Sequence, residues 1–209
     1  MNAYDFDGTI YPTDCSIDFG FWCMNHHPTM WITFFPRIIF YAIKYMLGMI
    51  PNYRLQRELF RYLTLVKDFD VQIERYWDKN RKRIAPWYLE QKRSDDLIIS
   101  ASPLCIIEPI ANRLGVRCVA TDFDRELGVF MNNLMYAKEK SRYMIDHGLP
   151  KIEKFYSDSL SDTPLALCAD EAYLVSDDAT TISPWPELDA ETLEAVKKQV
   201  DTGWSIHLK

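Results

Sequence analysis

The chain should fold as an α/β protein: a doubly wound, mostly parallel sheet with an inserted α-helical cap. Three observations carry that expectation. From Asp95 onward, short apolar runs alternate with helical stretches, the pattern of successive βα units. Residues 13–92 show no strand alternation and read as about four helices. The run Asp5-Phe6-Asp7-Gly8-Thr9-Ile10 follows an opening strand at Met1–Tyr4, so a polar turn stands where open sheets place their sites, at the carboxyl ends of strands.

Composition narrows the function classes. At 209 residues and 48% hydrophobic content, the chain can bury one core and carry a sizeable insertion. A net charge of −6 with no long basic run argues against nucleic acid as the main partner. The five cysteines (Cys15, Cys23, Cys105, Cys118, Cys168) are odd in number, scattered and without CxxC spacing, and read as reduced core residues. The DFDGTI run begins at residue 5 and leaves no room for a signal peptide, so the expected location is the cytoplasm.

In chain order, Ser16–Asn25 suits a short helix with Phe19, Trp22 and Cys23 on one face, broken at His26-His27-Pro28. The adjacent histidines could ligate a metal, but sequence neighbours rarely point at one ion, and a plain turn is the expectation. Trp31–Ile50 is the most apolar stretch. Pro36, Arg37, Lys44 and Gly48 interrupt it, which argues against a spanning helix of about 20 apolar residues. It reads either as a buried cap helix or as a surface meeting lipid or a second subunit. Pro51–Val66 continues as an amphipathic helix with Leu55, Leu59, Tyr62 and Val66 on one face and Arg54, Arg57 and Arg61 on the other. Phe69–Glu90 reads as a longer helix, ending or kinking near Pro86. Its Lys79, Arg81, Lys82 and Arg83 form either a solvated face or an attractor for anions.

Strands are then expected at 96–100, 117–122, 153–157 and 172–175, with a β excursion at 127–134. Helices are expected at 103–114, closed near Gly115, at 138–147, closed by Gly148, and at 187–200. The tail is residues 204–209.

The carboxylates Asp5 and Asp7 would stand together at the end of the first strand. Such a pair costs free energy unless a proton or cation relieves it. A hard divalent ion with oxygen ligands, usually Mg²⁺, is the common remedy. The plain alternative is a loop start, since Asp and Gly form turns.

Three further segments bear on that choice: the strand ending Leu97-Ile98-Ile99-Ser100, the helix-opening Lys140, and Asp158-Ser159-Leu160-Ser161-Asp162. With DFDGTI they stand in the order of the four motifs of the haloacid dehalogenase (HAD) superfamily, which is mostly phosphatases. The chain resembles that superfamily from residue 1 to about 177. The resemblance implies a HAD-like core over residues 1–12 and 93–209 and a helical cap over 13–92. It implies Asp5 as nucleophile, forming an aspartyl-phosphate, and Asp7 as general acid and then base. Ser100 would contact the phosphoryl group, with Ser102 as second candidate, and Lys140 would neutralise its charge. Lys138 is the rival lysine. Lys140 is preferred because the family lysine has an apolar residue four positions on, here Met144. Mg²⁺ would be held by Asp5, Asp158 and the backbone carbonyl of Asp7, with Asp162 and Thr9 in support.

The chain looks closest to the branch holding phosphoserine phosphatases and phosphatidylglycerophosphatase C. In the former a glutamate helps recognise the substrate amino group where this chain has Asp14. The reaction implied is Mg²⁺-dependent phosphomonoester hydrolysis, on a lipid-like phosphate if the apolar cap lines the site. The alternatives are a phosphoserine-type metabolite phosphatase, or a phosphotransferase or mutase on the same core. The expected partners are a small or lipid-like phosphomonoester, no nucleic acid, and a membrane surface or second copy meeting Trp31–Ile50.

Overall fold

The computed structural model describes residues 1–176 and 178–194. Its sheet has the order β3-β2-β1-β6-β7-β8. The strands are β1 (Ala3–Tyr4), β2 (Leu97–Pro103), β3 (Arg117–Thr121), β6 (Ile152–Ser157), β7 (Ala169–Val175) and β8 (Ile182–Pro184). All neighbours run parallel except β8, which returns antiparallel to β7 and was not expected from the sequence. A separate hairpin pairs β4 (Phe123–Asp124) with β5 (Val129–Phe130), inside the expected excursion at its carboxyl side only.

The short β1 is central. Ala3 and Tyr4 pair with Leu97 and Ile98 on one side and with Phe155 and Tyr156 on the other. Alternation splits the side chains between two cores. Ala3, Leu97, Ile99 and Phe155 face one, whereas Tyr4, Ile98 and Tyr156 face the other. Tyr4 stacks on Tyr156, and Tyr156 on Tyr173, with centroids 4.9 and 5.0 Å apart, an aromatic ladder across three strands. From β1 the chain builds one way to β2 and β3 and later the other way to β6 and β7. The order therefore reverses at β1, and the crevice beyond its carboxyl end is a topological switch point.

Six helices lie between β1 and β2: α1 (Cys15–His26), α2 (Met30–Thr33), α3 (Phe35–Met46), α4 (Asn52–Phe60), α5 (Phe69–Asn80) and α6 (Pro86–Gln91). The expected long helix over 69–90 is two. The 3₁₀ turn Arg81–Arg83 breaks it, and Pro86 opens α6, where a missing N–H costs nothing. α5 packs on α7 (Leu104–Leu114), and the Trp77 indole N–H donates to the Ile106 carbonyl at 2.8 Å. α6 lays Trp87 and Tyr88 against the aromatic ladder.

The cap arginines are arranged otherwise than their helical spacing suggests. Glu58 is 2% exposed on α4 and binds Arg37 of α3 at 2.6 Å, with Arg57 and Arg61 beside it. This pair ties α3 to α4. Trp31–Ile50 is neither one helix nor wholly buried: Phe34 and Ile50 are buried, and Phe35 and Ile38 pack partly against the core. The stretch is two helices, and α3 buries none of its residues. Each histidine has a local partner: His26 stacks on Trp22, and His27 meets Asp68 at 2.9 Å. All five cysteines are free; Cys15 and Cys23 are core residues, but Cys168 is exposed. The remaining helices are α8 (Lys138–Asp146) and α9 (Thr163–Ala166). Of the expected helix over 187–200, residues 190–194 are helical. Its remainder and the tail at 204–209 lie outside the described residues.

Candidate active site

The switch-point crevice holds a cavity of about 180 Å³. Asp5 and Asp7 reach it from the turn after β1, Ser102 from the end of β2, Lys140 from the first turn of α8, and Asp158 and Asp162 from the segment after β6. Residues scattered over most of the chain therefore converge, because each stands at a strand end or helix start beside β1.

Lys140 is 2% exposed and lies between two carboxylates. Its Nζ is 2.9 Å from Asp5 Oδ1 and donates to Asp162 Oδ2 at 2.7 Å. Burial pulls this ammonium's pKa down, but Asp162 and Asp5 outweigh burial and raise it. Asp5 Oδ1 also accepts the Phe6 N–H at 2.8 Å, so both of these contacts fall on one oxygen. Asp162 Oδ2 accepts the Ser157 hydroxyl as well, while its Oδ1 is buried without a partner.

Asp7 is held differently. Its Oδ1 accepts the Cys15 N–H at 2.7 Å, and its Oδ2 accepts the Ser102 hydroxyl at 2.6 Å and the Ser100 hydroxyl at 3.3 Å. Burial, with the nearby Asp14 charge, pushes its pKa up to about 6. Ser100, expected at the site wall, is fully buried behind it, and Ser102 takes that place. The two serines are two apart and both reach Asp7 Oδ2, and Ser102, one step nearer the carboxyl end of β2, is the one at the cavity.

Asp14 also lines the cavity, but its Oδ1 caps α1 by accepting from the N–H groups of Ser16 and Ile17 and the Ser16 hydroxyl. Lys138 does not line the cavity. No local signal marks Gln56 and Phe60 of α4 or Tyr136 before α8, which also line the cavity.

Gly8 explains the turn. Its φ of +71° is a conformation that side chains resist, and an added Cβ would stand 2.2 Å from Asp158 Oδ2. Asp158 is fixed there by Thr9, whose hydroxyl donates to Asp158 Oδ1 at 3.3 Å and accepts the Asp158 N–H at 2.9 Å. Gly8→Ala should therefore cost about 1–2 kcal/mol from φ alone, and more from displacing Asp158; chemical denaturation measures it. An unchanged unfolding midpoint would contradict this packing.

The sequence profile of the haloacid dehalogenase-like hydrolases matches residues 3–167, a span that holds every one of these groups. The chain belongs to this family. No curated protein matches its sequence.

Among solved structures, this HAD-like chain is similar to a protein of unknown function from Bordetella pertussis Tohama I. The two are 17% identical with a TM-score of 0.71, over 98% of this chain and 96% of that one. It is also similar to a phosphoserine phosphohydrolase-like protein from Francisella tularensis subsp. tularensis SCHU S4, at 15% identity and TM-score 0.53, over 82% and 86% of the two chains. A HAD family hydrolase from Salmonella enterica subsp. enterica serovar Typhi matches at 14% identity and TM-score 0.54, over 80% and 59%. At these identities the likeness is one of fold.

The electrostatics of this HAD-like cavity bear on a metal. Five carboxylates line it (Asp5, Asp7, Asp14, Asp158, Asp162) against the single ammonium of Lys140. Burial raises Asp5 well above the usual carboxylate range despite Lys140, and it raises Asp158 too. Among the described residues no three His, Cys, Asp or Glu side chains form a ready ligand cage. Asp158 nevertheless lies against the bare Gly8 backbone. The surplus charge, the glycine cradle and the orphan Asp162 Oδ1 all fit a hard divalent cation.

Proposed function

We propose that the protein is a Mg²⁺-dependent phosphomonoester hydrolase that works through an aspartyl-phosphate. The observation that carries this reading is Lys140 held between Asp5 and Asp162, two residues in sequence from a separately held Asp7. Asp5, Asp158 and the Asp7 carbonyl would hold Mg²⁺, which supplies positive charge to the phosphoryl oxygens.

Asp5 Oδ1 is engaged by Lys140 and Phe6 N–H, which leaves Oδ2 to attack phosphorus. The bond from phosphorus to the leaving oxygen breaks as Asp7 gives that oxygen its proton. A pKa of about 6 keeps a useful fraction of Asp7 protonated near neutrality. Asp7 then takes a proton from the water that attacks the aspartyl-phosphate, releasing phosphate and restoring Asp5. Lys140 offsets charge on the carboxylate and phosphoryl group throughout.

We assign the phosphoryl contact to Ser102, with Ser100 supporting it by accepting the Ser102 N–H at 3.0 Å. Ser102→Ala should lower kcat/KM about a hundredfold, and Ser100→Ala less. Steady-state kinetics on p-nitrophenyl phosphate decide between the serines; the reverse ranking would return the role to Ser100.

Residues 13–92 form the cap in this reading, with α4 facing the mouth through Gln56 and Phe60. An apolar groove lined by Phe34, Ile38 and Leu59 shares Ser16 and Phe60 with the catalytic cavity, which supports a hydrophobic leaving group. A lysophosphatidate should then exceed phosphoserine in kcat/KM, and Ile38→Ser should reduce only the lipid-like substrate. The second reading, a phosphoserine-type phosphatase, is supported by the fold shared with the Francisella protein and by Asp14 at the wall. Preference for phosphoserine, or equal losses on both substrates, would favour it.

A further inference from the structure

α3 is apolar along most of its length, yet none of its residues is fully buried, and Phe35 and Ile38 alone are partly buried against the core. Phe40, Ile43, Met46 and Leu47 recur at three- and four-residue spacings, so they share one side of the helix. Ile32 before it and Met49 after it extend the patch, and Ile32 and Met46 are 80% and 82% exposed. Soluble surfaces scatter such side chains singly, whereas a contiguous apolar patch marks a docking site.

Charge identifies the occupant. Residues 28–66 hold five basic residues (Arg37, Lys44, Arg54, Arg57, Arg61) against the single acidic Glu58. The remaining chain holds nineteen basic and twenty-nine acidic residues, so the apolar patch lies in a cationic island on an acidic protein. Two of these cations lie on α3 itself: Lys44 Nζ is 4.7 Å from the Phe40 ring centroid, and the Arg37 guanidinium 5.5 Å from that of Tyr41.

We propose that this surface docks the protein peripherally on an anionic lipid bilayer, with α3 lying in the headgroup region. Anionic headgroups would neutralise the island while the acyl boundary takes up the apolar side chains. A second copy is the poorer occupant. A two-fold interface would set the same patch against itself and oppose the two cationic islands. Among the described residues no helix is long and apolar enough to cross a membrane, so the contact is one of lying on the surface. The apolar groove beneath α3 shares walls with the catalytic cavity, so a docked protein would meet its lipid-like substrate at the bilayer. That last link rests on the proposed substrate class; docking itself does not.

The test is co-sedimentation of the full chain with phosphatidylcholine vesicles, with and without phosphatidylserine. Binding is expected only with phosphatidylserine and should weaken in high salt. The double variant Met46→Ser with Leu47→Ser alters two exposed side chains remote from the cavity. It should lower vesicle partitioning about tenfold or more, while its p-nitrophenyl phosphate hydrolysis equals that of the unaltered chain. No binding to phosphatidylserine vesicles, or binding indifferent to the double variant, overturns the proposal. So does a dimer that the variant dissociates while vesicles stay unbound. An inactive chain that still binds leaves docking standing and removes the phosphatase reading alone. An active chain that does not bind removes docking alone.

Discussion

Asp5→Asn should leave a folded protein with almost no turnover. The amide matches the carboxylate in volume but lacks the charged oxygen that attacks phosphorus, and loss of a nucleophile typically costs about 10⁴-fold or more in kcat. The fold should survive. Asp5 is a buried carboxylate whose charge burial disfavours, and Lys140 keeps Asp162 as its partner at 2.7 Å. The melting temperature should therefore hold or rise, while phosphate release falls to background. Beryllium trifluoride, a phosphoryl mimic, should raise the melting temperature of the unaltered chain with Mg²⁺ and leave the variant unmoved. Activity within tenfold of the unaltered chain would remove Asp5 as nucleophile.

Stripping divalent ions should abolish phosphate release, and Mg²⁺ should restore it. Five carboxylates in the cavity face one ammonium, and the substrate brings further negative charge. A ligand that binds only the folded state stabilises it by mass action, so Mg²⁺ should also raise the melting temperature. Asp158→Asn should remove most of that rise, because Asp158 reaches the Gly8 backbone beside the Asp7 carbonyl. Calorimetric titration reads the same loss without turnover. Full activity after exhaustive chelation would refute the metal; an unchanged Mg²⁺ response in the variant would refute Asp158 as ligand.

Much of the core was legible because its signals are local. Each strand that carries a site residue is short and largely buried, and Asp5, Ser102 and Asp158 stand at or just past its end. Lys140 was separable from Lys138 only through the family resemblance, whose lysine has an apolar residue four positions on, and the structure buries Lys140 in the cavity. What was not legible depends on partners distant in sequence. Ser100 ends the apolar run, but the chain stays in β2 for three more residues, and Ser102 rather than Ser100 lines the cavity. Helical periodicity gave α4 an arginine face, yet Arg37, twenty-one positions away, draws Glu58 into burial. The apolar content of α3 left burial and an exposed surface both open, because composition does not say whether a neighbour covers a helix. The strand β8 is short and exposed, and it exists only because β7 offers an edge.

The contact from Cys15 N–H to Asp7 ties the insertion to the site. Cys15 is the first residue of α1, so a swing of all six helices would tear away a hydrogen bond on Asp7, the proposed general acid. The arch of α2–α4 joins the chain at residues 27–29 and 66–68, where His27 and Asp68 clasp the two connections at 2.9 Å. It is also packed down: Phe60 meets Phe123 and Phe130 edge-on, and the Tyr62 hydroxyl donates to the Ser16 carbonyl at 2.7 Å. Phe60 therefore serves the cavity wall and the core at once, so any movement that widened the mouth there would have to give up core packing.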